Sequence, residues 1–437
     1  MKSIEFITVG KCLGLTIVLI PLWWIIGVKF FIFHLVTLLM FVWVLLKQRE
    51  RTSLKMPLEN YIFVAFIAVY MVSLVVNLSN IPFSRIIASV NNLSFWILGF
   101  LLIYIVYNSF ERVDYVSFFR SCMIFGIGSS VFVISAFTFG LLMYKWVTIK
   151  SLVWMCLPDK WAEIIYVKAP LLKSSLLLSI VGKDKLFERV FPRSPGFNVY
   201  GTALGLTMLL VIVMSIAYIK VTNKKKRWFF IIFLETVALI LSLSRTTVIG
   251  FLAAIGIVFI IANIEKSLLM KVIPAILIVL LIFLVIFPPK GIINTFSEFR
   301  KGSTIWRARL YQLTLSEALK KPVLGYGFKP RTEDFPVPIG SHSTFIGMIY
   351  KTGFLGLVVF LLFWVSVLRK WWIQKKYLMK DRLLYSIWYF SGIALFGGLF
   401  WMVTEDLDAP PIVAFLYFIV VGIVLSLERL RKRTTKA

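Results

Sequence analysis

The chain has 437 residues, of which 60% are hydrophobic, and 48 Lys and Arg against 20 Asp and Glu give a net charge of +28. With a mean hydropathy of +0.91, this composition excludes an ordinary soluble domain. The basic excess therefore reads first as membrane orientation, and no nucleic-acid partner is expected. Cys12, Cys122 and Cys156 offer no disulfide framework, and two histidines, His34 and His342, cannot build a histidine-rich centre, so no metal and no cofactor is expected.

Uncharged runs such as Val272 to Phe287 and Phe354 to Val367, taken with their flanks, approach the roughly 20 residues that cross a bilayer core. The first run follows a lysine, and no small-residue cleavage site comes after Trp23-Trp24, so a retained first span is expected over 5–27. Further spans are expected at 30–46, 59–76, 90–107, 120–143, 198–219, 228–243, 246–263, 270–288, 343–367, 383–403 and 411–427. The expected fold class is an all-α integral membrane protein of about twelve transmembrane helices, a single polytopic domain over 1–437.

Positive loops mark the cytoplasm. Lys47, Arg49, Arg51 and Lys55 follow the second span, and Lys220, Lys224, Lys225, Lys226 and Arg227 follow the sixth. Arg369, Lys370, Lys375, Lys376, Lys380 and Arg382 follow the tenth, and Arg429, Arg431, Lys432, Arg433 and Lys436 close the chain. With twelve spans all four groups fall on one side and both termini are cytoplasmic. The short loops opposite hold only Lys29, only Arg85, or the acids Glu405, Asp406 and Asp408. The stretch Trp228 to Asn263 decides the count. As one helix it would be about 54 Å long against a core of about 30 Å, so a helical hairpin is expected with Arg245 in its turn at the outer surface, where a charge costs least.

Two long loops, 144–197 and 289–342, then lie outside. Each carries nine Lys and Arg against four Asp and Glu. Long loops translocate with weak regard to charge, so these lysines read mostly as a solvated surface, although an anionic ligand would also favour them. In the second loop, Trp306, Leu310 and Leu313 recur at helical spacing from Ser303 to Leu319, which predicts an amphipathic helix near the interface. Lys320-Lys321-Pro322 ends it, and Gly325-Tyr326-Gly327 makes a turn.

The topology gathers four polar features at outer helix ends: Arg193-Ser194-Pro195-Gly196-Phe197-Asn198, Arg245, Arg307 with Arg309, and Ser341-His342-Ser343-Thr344. Arginine forks match phosphate oxygens in pairs, so two or three of them can hold a diphosphate and offset its charge as it leaves, without a metal. His342 is an imidazole that can take a proton from an attacking hydroxyl. Structural roles stand beside these. Arg245 would pair with an acid of the 405–408 turn or reach lipid headgroups, and Arg193 would flank the interface. Arg307 and Arg309 point to different sides of a helix, so at most one faces the site. Glu405, Asp406 and Asp408 would bind an acceptor sugar or supply the base. His34 would bond a neighbouring helix, and Glu235 suits a functional role and helix packing equally.

Three stretches resemble the O-antigen ligase and Wzy-type polysaccharide polymerase family. They are Leu241-Ser242-Leu243-Ser244-Arg245-Thr246-Thr247, the run from Trp306 through Pro322-Val323-Leu324-Gly325-Tyr326-Gly327, and Ser341-His342-Ser343 with Gly353 and Gly356 downstream. The Arg193 to Asn198 segment matches more loosely, and Ser343 stands where many relatives have Asn. The resemblance covers about 190–360 and implies a GT-C-like, metal-independent inverting glycosyltransferase in the bacterial cytoplasmic membrane. Its implied partners are an undecaprenyl-pyrophosphate-linked glycan donor, an acceptor glycan, the lipid bilayer, a flippase and a chain-length regulator. Arg193, Arg245 and His342 would be catalytic, with Arg307, Arg309, Asn198, Glu405, Asp406 and Asp408 binding substrate. The expected activity is a polymerase of O-antigen, capsule or exopolysaccharide. A ligase acting on lipid A core or protein is the near alternative, and a lipid-linked sugar flippase or a membrane scaffold the distant ones. A flippase would line an inner cavity with charge.

Overall fold

The structure is a computed structural model that describes residues 8–48, 56–143, 145–186, 189–222, 228–263, 301–335 and 337–434. Among these, eight helices are long and apolar enough to cross a bilayer. A bent pair near the N-terminus makes a ninth if it is one span, and two shorter apolar helices, Ile32–Lys47 and Trp228–Leu241, stand beside them. The chain is a multi-pass helical membrane protein. The expected span 270–288 lies outside the described residues, as do the basic stretches 49–55 and 223–227.

Helices α1 (Val9–Val18) and α2 (Ile20–Ile26) are bent by 50° at their break. Pro21 lies at the break, where it removes an amide donor and its ring crowds the preceding turn. Next come α3 (Ile32–Gln48), α4 (Leu58–Val76), α5 (Phe83–Ser109) and α6 (Arg112–Met143). Small residues let these helices approach closely: an added Cβ on Gly10 of α1 would meet Asp114 of α6, and one on Gly14 would meet Ser121. His34 is bonded to Ser94 of α5 at 3.0 Å.

The first long loop departs from the helical expectation. It holds short helices α7 (Leu152–Cys156), α8 (Asp159–Lys168) and α9 (Pro170–Leu176). It also holds an antiparallel sheet in the order β1 (Val147–Lys150), β2 (Leu177–Leu186), β3 (Arg189–Arg193). The β-branched residues Val147, Thr148, Ile149, Ile180 and Val181 suit strands. The sheet forms because residues 177–186 pair with strands on both sides, a long-range fact that local pattern does not carry.

Three helices follow: α10 (Gly201–Thr222), α11 (Trp228–Leu241) and α12 (Arg245–Asn263). Helix α11 runs back along α10, since Tyr218 meets Trp228 at one end while Leu239 packs with Leu204 and Met208 at the other. Glu235 lies between, accepting from Ser215 Oγ at 2.9 Å. The chain reverses at 242–244, with Leu243 at φ +52, and α12 returns to its far end, where Ile261 O accepts from Lys375. The predicted hairpin is present, with Arg245 at its head.

Helix α13 (Lys301–Ala318) is the expected loop helix, but its apolar face packs on protein: Leu310 is buried with Ile339 and Tyr350. The last elements are α14 (Thr344–Leu378), α15 (Arg382–Met402) and α16 (Pro411–Thr434). Helices α10 and α16 are mostly buried and form the centre, whereas α12 is mostly open and lies at the rim.

Helix α14 breaks at Gly353, whose φ is +64, and the Pro-x-Leu-Gly-x-Gly turn docks there backbone to backbone. The break frees the carbonyls of Tyr350 and Lys351, which accept from Tyr326 N at 2.9 Å and Gly327 N at 2.8 Å. In return Phe354 N donates to Pro322 O at 2.7 Å. Such contact leaves no room for side chains. A Cβ on Gly353 would lie 2.2 Å from Val323 O, and one on Gly325 2.5 Å from Tyr350 O. This exchange fixes the start of α14, and with it His342, against the second long loop.

Candidate active site

Four segments meet at one end of the bundle. Strand β3 ends at Arg193. Asp184 on β2 pairs with Phe191, so it sits diagonally from Arg193 and its Oδ2 lies 2.8 Å from Arg193 Nη1. Arg193 Nε donates to Ser242 O at 2.8 Å, tying β3 to the 242–245 turn. The guanidinium lies over the start of α10, where a Cβ on Gly201 would fall 2.1 Å from Nε, so a larger residue there would push the guanidinium aside. Arg245 begins α12 and is exposed. Its turn is held by Ser244 Oγ and Thr247 Oγ1 at 2.6 Å, and Ser244 packs on Gly205 of α10.

The same end continues through α15. Gly250 of α12 faces Phe400, and Trp401 Nε1 donates to Thr202 O at 3.0 Å. Just beyond, the acidic turn 403–410 is bound to the start of α14: Thr344 Oγ1 donates to Glu405 O at 2.7 Å, and Leu407 N donates to Thr344 Oγ1 at 3.0 Å.

His342 stands on this support in a conformation costly for a residue with a Cβ, at φ +64. Side chains hold both of its backbone polar groups. Its N–H donates to Asp406 Oδ2 at 3.1 Å, and Tyr311 OH on α13 donates to its carbonyl. The ring packs edge-on against Trp306 at 5.2 Å. Nδ1 lies 3.5 Å from Glu405 Oε2, and the other oxygen of Glu405 is 3.3 Å from Arg307 Nη2.

The remaining acids are bound internally. Asp406 Oδ1 accepts from Lys329 at 2.8 Å. Asp408, only 2% exposed, pairs with Lys351, which is 1% exposed, and accepts from Trp96 Nε1 at 3.3 Å. Burial favours neutral Asp408, but the Lys351 charge, with Lys329 and the two hydrogen bonds, outweighs it and holds the carboxyl below its usual range. Tyr200, at the head of α10, has its phenol pushed well above its ordinary pKa by burial, and the three carboxylates add to this while Arg307 opposes it.

Among the sequence candidates, Arg193 reaches the Arg245 turn, and His342, Glu405, Asp406 and Arg307 form a second connected group. Arg307 and Arg309 diverge, the first turned to Glu405 and the second exposed. Asn198 is drawn inward, buried at 3% with Oδ1 accepting from Thr207 at 3.0 Å. Sequence reasoning missed Lys329, Lys351, Tyr200 and Tyr311. The lysines had a signal, because three acids entering an apolar span need buried cations, and Lys351 lies inside an expected span. The tyrosines carry no sequence signal apart from the tertiary contacts.

Residues 228–361 match the family model described as O-antigen ligase. This part of the chain is similar to the O-antigen ligase family. The matched segment contains Arg245, Arg307, Arg309 and His342, while Arg193 and the acidic turn lie outside it. The chain is also similar to a protein of Rickettsia typhi described as a polysaccharide ligase, 27% identical over 219 residues, which is 44% of this chain and 53% of the relative. The chain thus spans about half the length of that relative.

Proposed function

We propose that the chain moves a glycan from an undecaprenyl pyrophosphate carrier to an acceptor hydroxyl at the non-cytoplasmic face of a bacterial cytoplasmic membrane, with both termini in the cytoplasm. The reading rests on the convergence of Arg193, Arg245, Arg307 and His342, from four separate segments, at one end of the bundle. Arg193 and Arg245 hold the diphosphate, helped by the N-termini of α10 and α12, whose amides favour an anion. Glu405 faces Nδ1 of His342, which leaves Nε2 to take the proton of the acceptor hydroxyl. The acceptor oxygen bonds to the anomeric carbon as the carbon–oxygen bond to the diphosphate breaks. The electron pair leaves with the phosphate, where the arginines stabilise it without a metal. One displacement of this kind inverts the anomeric centre. The acceptor-sugar role falls to Arg307, because Asp406 and Asp408 are committed to lysines and Glu405 is buried between Arg307 and His342.

In the first reading the acceptor is another lipid-linked glycan and the chain is a polymerase of O-antigen, capsule or exopolysaccharide, working beside a flippase and a chain-length regulator. The likeness to the O-antigen ligase family and to the Rickettsia protein fits equally well with a second reading, in which the acceptor is lipid A core or protein. Both use the same site. Purified protein given lipid-linked donor should form new glycosidic bonds without ATP, whereas lipid movement with no new bond would favour a flippase instead. In a deletion strain, accumulation of single-repeat glycan marks a polymerase and accumulation of long carrier-linked chains marks a ligase.

A further inference from the structure

The first long loop exposes apolar side chains that the proposed reaction does not use. On α7, Leu152 and Met155 share a face at i,i+3 spacing, and on α8 Trp161 and Ile164 do the same. Leu152, Met155 and Trp161 are each more than half exposed. In the second loop, α13 packs Leu310 against Ile339 and Tyr350 while leaving Ile305 and Leu315 exposed.

Three observations indicate what covers this patch. The first is its level. Ser151, which caps α7, touches Gly27 at the end of α2: an added Cβ on Gly27 would lie 2.4 Å from Ser151 Oγ. The start of α7 is therefore held level with the end of α2. The second is continuity, because the last turn of the membrane helix α6 exposes Leu142 and Met143, and exposed Trp146 follows directly. The third is charge. Lys145, Lys150 and Lys160 are exposed in the same segment, against Asp159 and Glu163. Lys173 sits over the ring of Tyr166 at 3.2 Å, a basic and aromatic pairing suited to headgroup depth. Exposed apolar residues interspersed with lysines, level with the end of α2, fit an anionic phospholipid surface.

We propose that α7 and α8 lie on the anionic phospholipid surface of the bilayer that the chain spans, with Leu152, Met155, Trp161 and Ile164 set among the headgroups. The loop then acts as a float that keeps β3, and with it Arg193, at headgroup depth, the level at which a lipid-borne phosphate sits. The docking does not depend on the glycosyl-transfer reading, and its test does not involve the reaction.

Cys156 is exposed on α7 beside Met155, whereas Cys122 is buried. In a Cys12→Ser chain, a nitrobenzoxadiazole probe on Cys156 reports the docking in nanodiscs of phosphatidylglycerol and phosphatidylethanolamine. The expected result is quenching by lipids with a nitroxide near the headgroup, together with protection from iodide. Replacing phosphatidylglycerol by phosphatidylcholine, or introducing Met155→Glu with Trp161→Glu, should weaken both. A probe open to iodide in every lipid mixture would overturn the proposal. So would protection that appears only when lipid-linked glycan is added, or only in discs holding two copies of the chain.

Discussion

The two sides of the candidate site are built differently. Around His342, charges are matched side chain to side chain: Glu405 with Arg307, Asp406 with Lys329, and Asp408 with Lys351. Around Arg193 and Arg245 there is one ion pair, Arg193 with Asp184, and the rest of the framework is largely backbone, with the Ser242 carbonyl and the Leu243 turn, while Arg245 is exposed at a helix head. The histidine side is fixed by a set of ion pairs and the arginine side by a single pair together with the chain path. The contrast suggests a division of labour in which one side aims a proton acceptor and the other receives an anion.

Removing the aimed group should have the largest effect. His342→Ala is expected to lower turnover by on the order of 10²–10⁴-fold, the usual weight of a positioned base, while membrane content stays normal. Turnover within a few-fold of wild type would remove His342 from the mechanism. The buried charge beneath it comes next. Lys351→Met leaves Asp408 unpaired and should cost about 3–5 kcal/mol of stability, read as detergent-solubilised melting, whereas Lys351→Met with Asp408→Leu should recover most of that loss. Because its folded pKa is lowered, Asp408 contributes stability above the ordinary aspartate pKa and loses it only as pH falls below that range. Lys351→Met should move this acid loss upward.

On the arginine side, Arg245→Lys keeps the charge but not the planar fork. A loss of about 10²-fold is expected if paired phosphate contacts matter, comparable to removing one oxyanion donor. Near-wild-type activity would mean that charge alone suffices there. The smallest effect should come from Tyr311→Phe, which deletes one hydrogen bond to the His342 carbonyl. At about 1 kcal/mol this predicts roughly a fivefold fall in kcat with KM unchanged. A change in KM alone would place Tyr311 at the substrate rather than behind the histidine.

Much of the frame was legible because hydropathy is local. The hairpin at Arg245 followed from length alone, and the loop helix expected from Ser303 to Leu319 is observed as Lys301–Ala318. What escaped depends on partners far apart in sequence. The strand at 177–186 needs both of its neighbours. The break at Gly353 makes sense only once the Pro322 to Gly327 turn supplies replacement hydrogen bonds. Lys351 inside an apolar run could have pointed to Asp408, since a lone cation in a membrane needs a counter-charge. The roles of Gly201 and Tyr311 are visible only in three dimensions.

The central claim is that the Arg245 and His342 sides open to the same, non-cytoplasmic face. Single cysteines at Arg245→Cys and His342→Cys, in a chain with Cys12→Ser and Cys156→Ser, can be challenged in intact spheroplasts with a membrane-impermeant maleimide. Both positions should label from outside. Labelling of either one only after the cytosolic side has been opened would contradict the account.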